Sequence, residues 1–118
     1  MINTRAKGLQ AENDACNYLC EKGFVILARN YSASRNFQGG EIDVIARFKN
    51  TIHFVEVKAR FTDNYGEGRE AVTKSKQSTI RRLATKWLVQ NGLYEEVYVS
   101  FDVIEITDGK IEHYDSCF

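Results

Sequence analysis

Two acidic residues lie inside apolar segments of strand type, and they limit the folds that this chain can adopt. Asp43 lies within residues 41–48, and Glu56 lies within residues 51–60. Both segments are rich in β-branched and aromatic residues, and only Lys49-Asn50 separates them, which predicts a β-hairpin. A carboxylate on a buried strand is costly unless it is paired with a cation or binds a metal. The hairpin therefore has to supply both acids with partners.

The register of this hairpin decides whether the two acids meet. If two residues form the turn, counting back from it places Asp43 opposite Glu56 and Glu41 opposite Lys58. Opposed residues share a face of the sheet, with Cβ atoms about 5 Å apart. A turn one residue longer or shorter would move the side chains of one strand to the opposite face of the sheet and separate these residues. The two-residue turn thus predicts two carboxylates and an ammonium in one place.

This combination of side chains suits phosphodiester hydrolysis. Neighbouring carboxylates repel one another, and a divalent cation relieves that repulsion. Mg²⁺ prefers oxygen ligands and needs one or two carboxylates when substrate phosphates supply the rest. The lysine can orient a water or stabilise charge on the attacked phosphate. The competing interpretation is that Glu56 and Lys58 occur together by chance on the solvated face of a strand.

Two helices and five strands are predicted along the chain. The first helix covers residues 4–21, and the second runs from a cap at Thr73 or Ser75 to about Gln90. Their apolar stripes are Leu9, Cys16, Leu19 and Cys20 in the first, and Ile80, Leu83, Ala84, Trp87 and Leu88 in the second. Strands are predicted over residues 24–29, 41–48, 51–60, 97–106 and 110–114. This order predicts one domain over residues 1–118, an α/β fold of three layers with a mixed sheet.

The distribution of charge indicates where a polyanion would bind. The chain has 16 basic and 16 acidic residues, and this neutrality argues against strong non-specific DNA binding. Residues 56–86 nevertheless contain eight basic and four acidic side chains, while residues 93–118 contain one basic and seven acidic. The middle of the chain is therefore the expected nucleic-acid surface. Its candidate phosphate contacts are Arg60, Lys74, Arg81 and Arg82, although a solvated helix face explains the last two equally well.

Other features of the sequence indicate a cytoplasmic protein without a membrane segment. No stretch approaches the roughly 20 apolar residues that cross a bilayer, and the polar N-terminus lacks the apolar segment of a signal peptide. Three cysteines, an odd number without metal-site spacing, are expected to be free thiols. His53 is expected to face away from Glu56 as a packing or surface residue. Residues 61–70, with Tyr65, are expected to form an exposed loop, either a flap over nucleic acid or a simple connection.

The chain resembles the YraN family of small bacterial proteins. The resemblance spans most of the chain and rests on Gly8, Glu12, Ala15 and Leu19, on Gly40-Glu41-Ile42-Asp43, on Phe54-Val55-Glu56-Val57-Lys58 with Arg60, on Glu70-Ala71-Val72 with Lys76, and on Phe101-Asp102-Val103. That family is assigned by similarity to the restriction-endonuclease-like superfamily, which includes archaeal Holliday-junction resolvases and the PD-(D/E)xK nucleases. The superfamily core is helix, three strands, helix, strand, which matches the order predicted above.

The resemblance implies a metal-dependent endonuclease with a defined site. Asp43, Glu56 and Lys58 fall on the catalytic residues of the superfamily, and Glu12 falls where many members place an additional acidic metal ligand. The cofactor implied is Mg²⁺ or Mn²⁺, and the substrate is DNA, with branched DNA as one candidate. The possible auxiliary residues are Glu41, Lys76 and Gln77. The proline of the PD-(D/E)xK motif is replaced here by Ile42, a difference that related resolvases share.

Two other functions fit the same residues. A non-catalytic module that binds nucleic acid or recognises junctions would keep the fold and the basic stretch. An assembly protein would use the hairpin or the exposed loop to form a dimer, and a homodimer is also expected of a resolvase because the junction-cutting members of the superfamily are dimers. All three candidate catalytic residues are present, which favours the enzyme.

Overall fold

The computed structural model describes residues 4–33, 39–60 and 72–118. Its helices and strands are α1 (Thr4–Glu21), β1 (Val25–Ser32), β2 (Glu41–Phe48), β3 (Thr51–Arg60), α2 (Lys74–Gln90), β4 (Tyr98–Thr107) and β5 (Lys110–Tyr114). This is the predicted order of elements. The predicted loop over residues 61–70, including Tyr65, lies outside the described ranges.

The five strands form one mixed sheet whose spatial order, β1-β2-β3-β4-β5, is the order of the strands in the chain. Strands β3 and β4 are parallel, and the other neighbouring pairs are antiparallel. Parallel strands need a crossover connection, and α2 provides it. Because α1 packs on one face of the sheet and α2 on the other, the predicted three-layer α/β fold is confirmed.

The β2–β3 hairpin has the predicted two-residue turn. Phe48 pairs with Thr51, and the same register continues to the pair Val44 and Val55. Lys49 begins the turn with a left-handed φ of 54°. The turn therefore sets the register that brings the acidic ends of β2 and β3 to the same region of the sheet.

Helix α2 buries the apolar stripe predicted for it. The Thr73 hydroxyl accepts a hydrogen bond of 3.1 Å from the Lys76 amide and caps the helix. The buried residues of α2 are Ile80, Leu83, Ala84, Trp87 and Leu88. They pack against the sheet around Phe54. The rings of Phe54 and Trp87 are in edge-to-face contact, with 6.0 Å between their centroids. All five predicted positions are confirmed.

Helix α1 buries a different arc from the predicted one. Its buried side chains are Ala11, Ala15, Cys16 and Leu19. Leu9 is 56% exposed and Cys20 is exposed, so the prediction is wrong for both. At about 100° per residue, these two positions lie roughly 80–100° around the helix from Leu19, at the margin of the buried arc. Glu12 lies within that arc, on the side of α1 that faces the sheet.

Strand β1 continues past the residue at which it was predicted to end. Asn30 lies within β1 at a left-handed φ of 52°, and the strand ends only at Ser32. Asparagine tolerates this conformation better than most residues, so the chain passes through it and resumes pairing at Tyr31 with Ile42. Within the described residues, neither helix has the length and apolar character to span a membrane.

Candidate functional site

Four carboxylates gather near the start of β2, beside the N-terminal end of α2. Glu12 comes from α1, Glu41 and Asp43 from β2, and Glu56 from β3. Carboxylate oxygens of Glu12, Glu41 and Asp43 lie within 4.8 Å of one another. We refer to these four residues as the acidic cluster. It contains two of the predicted catalytic residues, Asp43 and Glu56, and all three predicted metal ligands.

Asp43 is held at the point where the ladder between β2 and β3 ends. The ladder ends with the pair Val44 and Val55, so the predicted pairing of Asp43 with Glu56 lies just beyond it. The Val57 amide instead donates a hydrogen bond of 2.8 Å to Asp43 Oδ2. A side-chain oxygen thus replaces the backbone carbonyl as the acceptor, and the Asp43 carboxylate is fixed in place.

The surroundings of Asp43 favour an added positive charge. Asp43 is 9% exposed. Burial raises the pKa of Asp43 to about 8, and the negative charges of Glu56 and Glu12 act in the same direction, while the Val57 amide opposes the shift. Burial and the charges of Glu12 and Glu56 also raise the pKa of Glu41. A proton or a cation is needed to relieve this concentration of negative charge.

The cation that pairs with Glu56 is Lys76, in the first turn of α2. The Lys76 ammonium forms an ion pair with the Glu56 carboxylate, which is 5% exposed. Burial alone would lower the pKa of Lys76, but the hydrogen bond to Glu56 and the neighbouring carboxylates raise it above its ordinary value. Lys76 is therefore held in its charged form against the acidic cluster. The sequence suggested only an auxiliary role for it.

Lys58 lies on the same strand as Glu56 but has different neighbours. It is half-buried and lies beside Glu105 of β4 in the parallel ladder. Alternation along β3 puts its side chain on the same face as that of Glu56. Among the described residues, the partner of Glu56 is Lys76, and the predicted pairing of Glu41 with Lys58 is not part of the β2–β3 ladder.

Two residues of β1 orient Glu12 towards the acidic cluster. The Asn30 side-chain amide donates a hydrogen bond of 3.0 Å to Glu12 Oε1. The Arg29 guanidinium lies 3.7 Å from the same oxygen. Sequence reasoning missed both residues, because Asn30 was expected to end the strand and a left-handed φ inside a strand leaves no pattern in the sequence.

The other predicted auxiliary and DNA-binding residues lie around the acidic cluster. Gln77 donates a hydrogen bond of 2.8 Å to the Val72 carbonyl and fixes the chain before α2. Arg82 donates to the Gly39 carbonyl at 3.2 Å, so it ties the segment before Glu41 to α2. Lys74 is exposed at the first residue of α2.

Two more predicted phosphate contacts already have partners within the protein. Arg60 Nε donates to Glu105 Oε2 at 2.7 Å, and both side chains are largely buried. The Arg81 guanidinium stacks over the Phe101 ring at 4.6 Å. Arg81 remains exposed on α2, whereas Arg60 would have to exchange its partner to bind a phosphate.

The acidic cluster fits Mg²⁺ or Mn²⁺. Every donor is a carboxylate oxygen, the ligand type that these ions prefer. Glu12, Glu41 and Asp43 already have oxygens close enough to share one ion, and burial together with the charges of Glu56 and Glu12 raises the pKa of Asp43, which a cation at this point would reverse. Glu41 thus belongs with the candidate ligands, while Glu56 contacts Lys76.

A second group of titratable side chains lies on the α1 face of the sheet. His53 Nδ1 and His113 Nε2 each lie 2.7 Å from Asp102 Oδ2. We refer to these three residues as the histidine cluster. The His53 ring packs against Phe24 in the α1 layer, so His53 faces away from Glu56 as predicted. Asp102 stands inside an apolar strand, and the reasoning applied to Asp43 would have identified it.

The chain is similar to a known family over most of its length. Residues 11–106 match the family described as "Uncharacterised protein family UPF0102", the family that the sequence motifs predicted. A UPF0102 protein of Sulfurihydrogenibium sp. is 38% identical over 112 residues, which are 95% of this chain and 93% of the relative. A UPF0102 protein of Lachnoclostridium phytofermentans is 42% identical over 87% of this chain and 84% of its own. One of Acetivibrio thermocellus is 45% identical over 88% of this chain and 77% of its own.

Proposed function

Because this chain belongs to the UPF0102 family, whose description names no activity, we propose its function from its own acidic cluster: it is a metal-dependent endonuclease that hydrolyses DNA phosphodiester bonds. The observation that carries this proposal is the convergence of Glu12, Glu41 and Asp43 within 4.8 Å. Two of these carboxyls have raised pKa values, which marks a place where a cation would be favoured.

The acidic cluster would hold Mg²⁺ or Mn²⁺ through Asp43, Glu12 and Glu41, with Glu56 beside them. When bound, the ion would supply Lewis-acid stabilisation of the charge that develops on the attacked phosphate. The chain's part is to fix the ligands before the ion arrives. The Val57 backbone amide orients Asp43, and the Asn30 side-chain amide orients Glu12.

The two lysines have separate roles in this proposal. Lys58 shares the face of β3 with Glu56, so it is the residue assigned to position the attacking water. Lys76 forms an ion pair with the buried Glu56 carboxylate. Entry of a divalent ion would compete with the Lys76 ammonium for the same carboxylates, because both are cations in one small region.

DNA would bind along the exposed side of α2. Lys74, Arg81 and Arg82 are exposed on this helix, and its N-terminal turn carries Lys76 into the acidic cluster. Phosphates bound there would lie next to the proposed metal ligands. Branched DNA is the substrate we favour, and a homodimer would present two such sites to symmetric strands. The expected location is the cytoplasm.

A cleavage assay on the full chain tests the proposal. Four-way branched DNA and a linear duplex of the same sequence are incubated with the protein in Mg²⁺, Mn²⁺ or a chelator. We expect cleavage only with a divalent ion, and a loss on the order of 100-fold or more in Asp43→Asn and Lys58→Ala. Asp14→Asn is the matched control, since Asp14 lies on α1 near Glu12 but outside the acidic cluster.

Three outcomes separate the alternatives. Tight binding of branched DNA without cleavage, equal in the wild type and Asp43→Asn, would support the non-catalytic binding module. Full cleavage by Asp43→Asn would exclude the proposed site even if the protein is a nuclease. A strictly monomeric mass in solution would contradict the homodimer without affecting the proposed chemistry.

A further inference from the structure

We propose that the histidine cluster is a second metal site, one that binds a transition-metal ion such as Zn²⁺ through His53, Asp102 and His113. Its three ligand atoms lie within 4.8 Å of one another. It lies on the α1 face of the sheet, away from the Glu56–Lys76 pair on the α2 side. This proposal is independent of the nuclease proposal.

The convergence of these ligands is the first argument. The chain contains only two histidines, 60 residues apart, and both point a ring nitrogen at the same carboxylate oxygen. They come from β3 and β5, with Asp102 on β4 between them. Three adjacent strands therefore supply one ligand each, so a rigid sheet fixes the geometry.

The charge of the cluster is the second argument. The Asp102 side chain is fully buried. Within the described part of the chain, Asp102 forms hydrogen bonds with the two histidines, Ser100 and the Ser116 amide and with no lysine or arginine, and the histidines carry charge only if they are protonated. Burial would raise the pKa of Asp102, but hydrogen bonds from His113, His53 and Ser100 hold it below its ordinary value, so Asp102 is the anion that a cation would bind. A divalent ion at this point would compensate the charge.

The second carboxylate oxygen has the supporting contacts that metal ligands usually have. Asp102 Oδ1 accepts a hydrogen bond of 2.5 Å from the Ser100 hydroxyl and another of 3.3 Å from the Ser116 amide. These bonds fix the carboxylate so that Oδ2 faces the two rings. The rings are held in turn by aromatic contacts, His53 with Phe24 and His113 with Tyr18.

The type of donor selects the ion. Two imidazole nitrogens and one carboxylate oxygen suit Zn²⁺ and its neighbours in the first transition series, whereas Mg²⁺ prefers oxygen alone. The nitrogen–oxygen distances are 2.7 Å. A tetrahedral ion with ligands at about 2.0–2.1 Å needs these atoms about 3.3 Å apart, so each ring would move by roughly half an ångström. His113 lies on the edge strand β5, and its side chain is 11% exposed.

The competing interpretation is a metal-free hydrogen-bonded cluster. In that case His53 donates from Nδ1 and His113 donates from Nε2, and the cluster only ties β5 to β3 and β4. Both states use the same nitrogen atoms. They differ in whether those nitrogens carry protons or bind an ion, and this can be measured directly.

Imidazole NMR on the Asp43→Asn chain tests the proposal without altering the histidine cluster. That substitution removes a ligand of the acidic cluster, and the two histidines give two separate sets of ring signals. After chelation, Zn²⁺ is added to one equivalent. We expect the ¹⁵N signals of His53 Nδ1 and His113 Nε2 both to shift to metal-bound positions. Unchanged signals, or protons retained on both nitrogens, would overturn the proposal.

Binding affinity supplies the matched comparison. Zn²⁺ affinity is measured by competition with a chelating dye for Asp43→Asn and for Asp43→Asn/His113→Asn, since asparagine retains a donor for Asp102. We expect a decrease of at least about tenfold in the second variant. Equal affinity in two folded variants would place the ion elsewhere and overturn the assignment. If the second variant does not fold, the NMR result decides.

Discussion

The Asp43 carboxylate accepts a hydrogen bond of 2.8 Å from the Val57 backbone amide, immediately after the β2–β3 ladder has ended. This contact positions a largely buried acid where two strands separate. The same acid lies beside Glu56 and Glu12, whose charges add to the effect of burial and bring the pKa of Asp43 to about 8.

Asp43→Asn should stabilise the metal-free protein at high pH. Because the pKa of Asp43 is raised from 3.8 to about 8, the folded state retains a proton that the unfolded state loses between these values. Binding of this proton therefore contributes its whole stabilisation below pH 3.8, and the contribution is lost as pH rises to about 8. The free energy of unfolding is measured with denaturant for the variant and the wild type. We expect the difference in favour of the variant to increase by about 1–3 kcal/mol from about pH 5 to about pH 8. A pH-independent difference would contradict this.

Lys76→Met should destabilise the metal-free protein because it leaves the Glu56 carboxylate without its ammonium partner. We expect a loss of about 1–2 kcal/mol at neutral pH and low salt, since Lys76 is partly exposed and its ion pair is partly screened. Lys74→Met, two residues earlier on the same helix turn, is the control and should change stability little. Urea unfolding of the three proteins measures the difference. Equal effects of the two substitutions would show that the ion pair contributes nothing.

Asn30→Gly should weaken metal binding at the acidic cluster while leaving the fold intact. Glycine accepts the left-handed φ of 52° without strain, so the main loss is the hydrogen bond that orients Glu12. We expect Mn²⁺ affinity, measured by calorimetry, to fall by about tenfold. Glu12→Gln provides the reference for complete loss of this ligand. If Glu12→Gln weakens binding and Asn30→Gly does not, the orienting role of Asn30 is wrong.

Gly40→Ala should be more damaging than the same substitution at another left-handed glycine. A methyl group on Gly40 would lie 2.8 Å from Thr79 Cγ2 of α2, and φ is 86° there. Gly109 has a similar φ of 83° with no atom within 4 Å of the added methyl group. We expect a loss of about 1 kcal/mol for Gly109→Ala and about 2–3 kcal/mol for Gly40→Ala, measured by thermal or urea unfolding. Equal losses would show that contact with α2 is unimportant.

Local patterns in the sequence were sufficient to predict most of the fold. The α2 stripe from Ile80 to Leu88 has a helical period, and burial of that face follows directly from it. The hairpin register follows from a two-residue turn at Lys49-Asn50, since each further pair is fixed by counting. The pairing of Asp43 could not be counted in this way, because the strands separate where its side chain takes over a backbone hydrogen bond.

Contacts between distant segments account for what the sequence did not reveal. Lys76 meets Glu56 only because the crossover helix begins next to the end of β3, and charge patterns along the chain do not encode that proximity. Asn30 reaches Glu12 through a backbone conformation without a local signature. His53 and His113 both contact Asp102 because β4 lies between β3 and β5 in the sheet, and that strand order could not be read from the sequence.

The identity of strand order and chain order has a consequence for how the protein is made. Each strand after β1 leaves the ribosome when one of its sheet neighbours has already been synthesised, so no strand has to be inserted between two that have already paired. The β2–β3 hairpin, with Asp43 and Glu56, closes a short loop and can form within microseconds. Lys76 is translated after this hairpin. Asp43 and Glu56 can therefore come together before Lys76, the partner of Glu56, has been synthesised. A nascent chain that ends between the hairpin and Lys76 would expose these two carboxylates to cations in solution first.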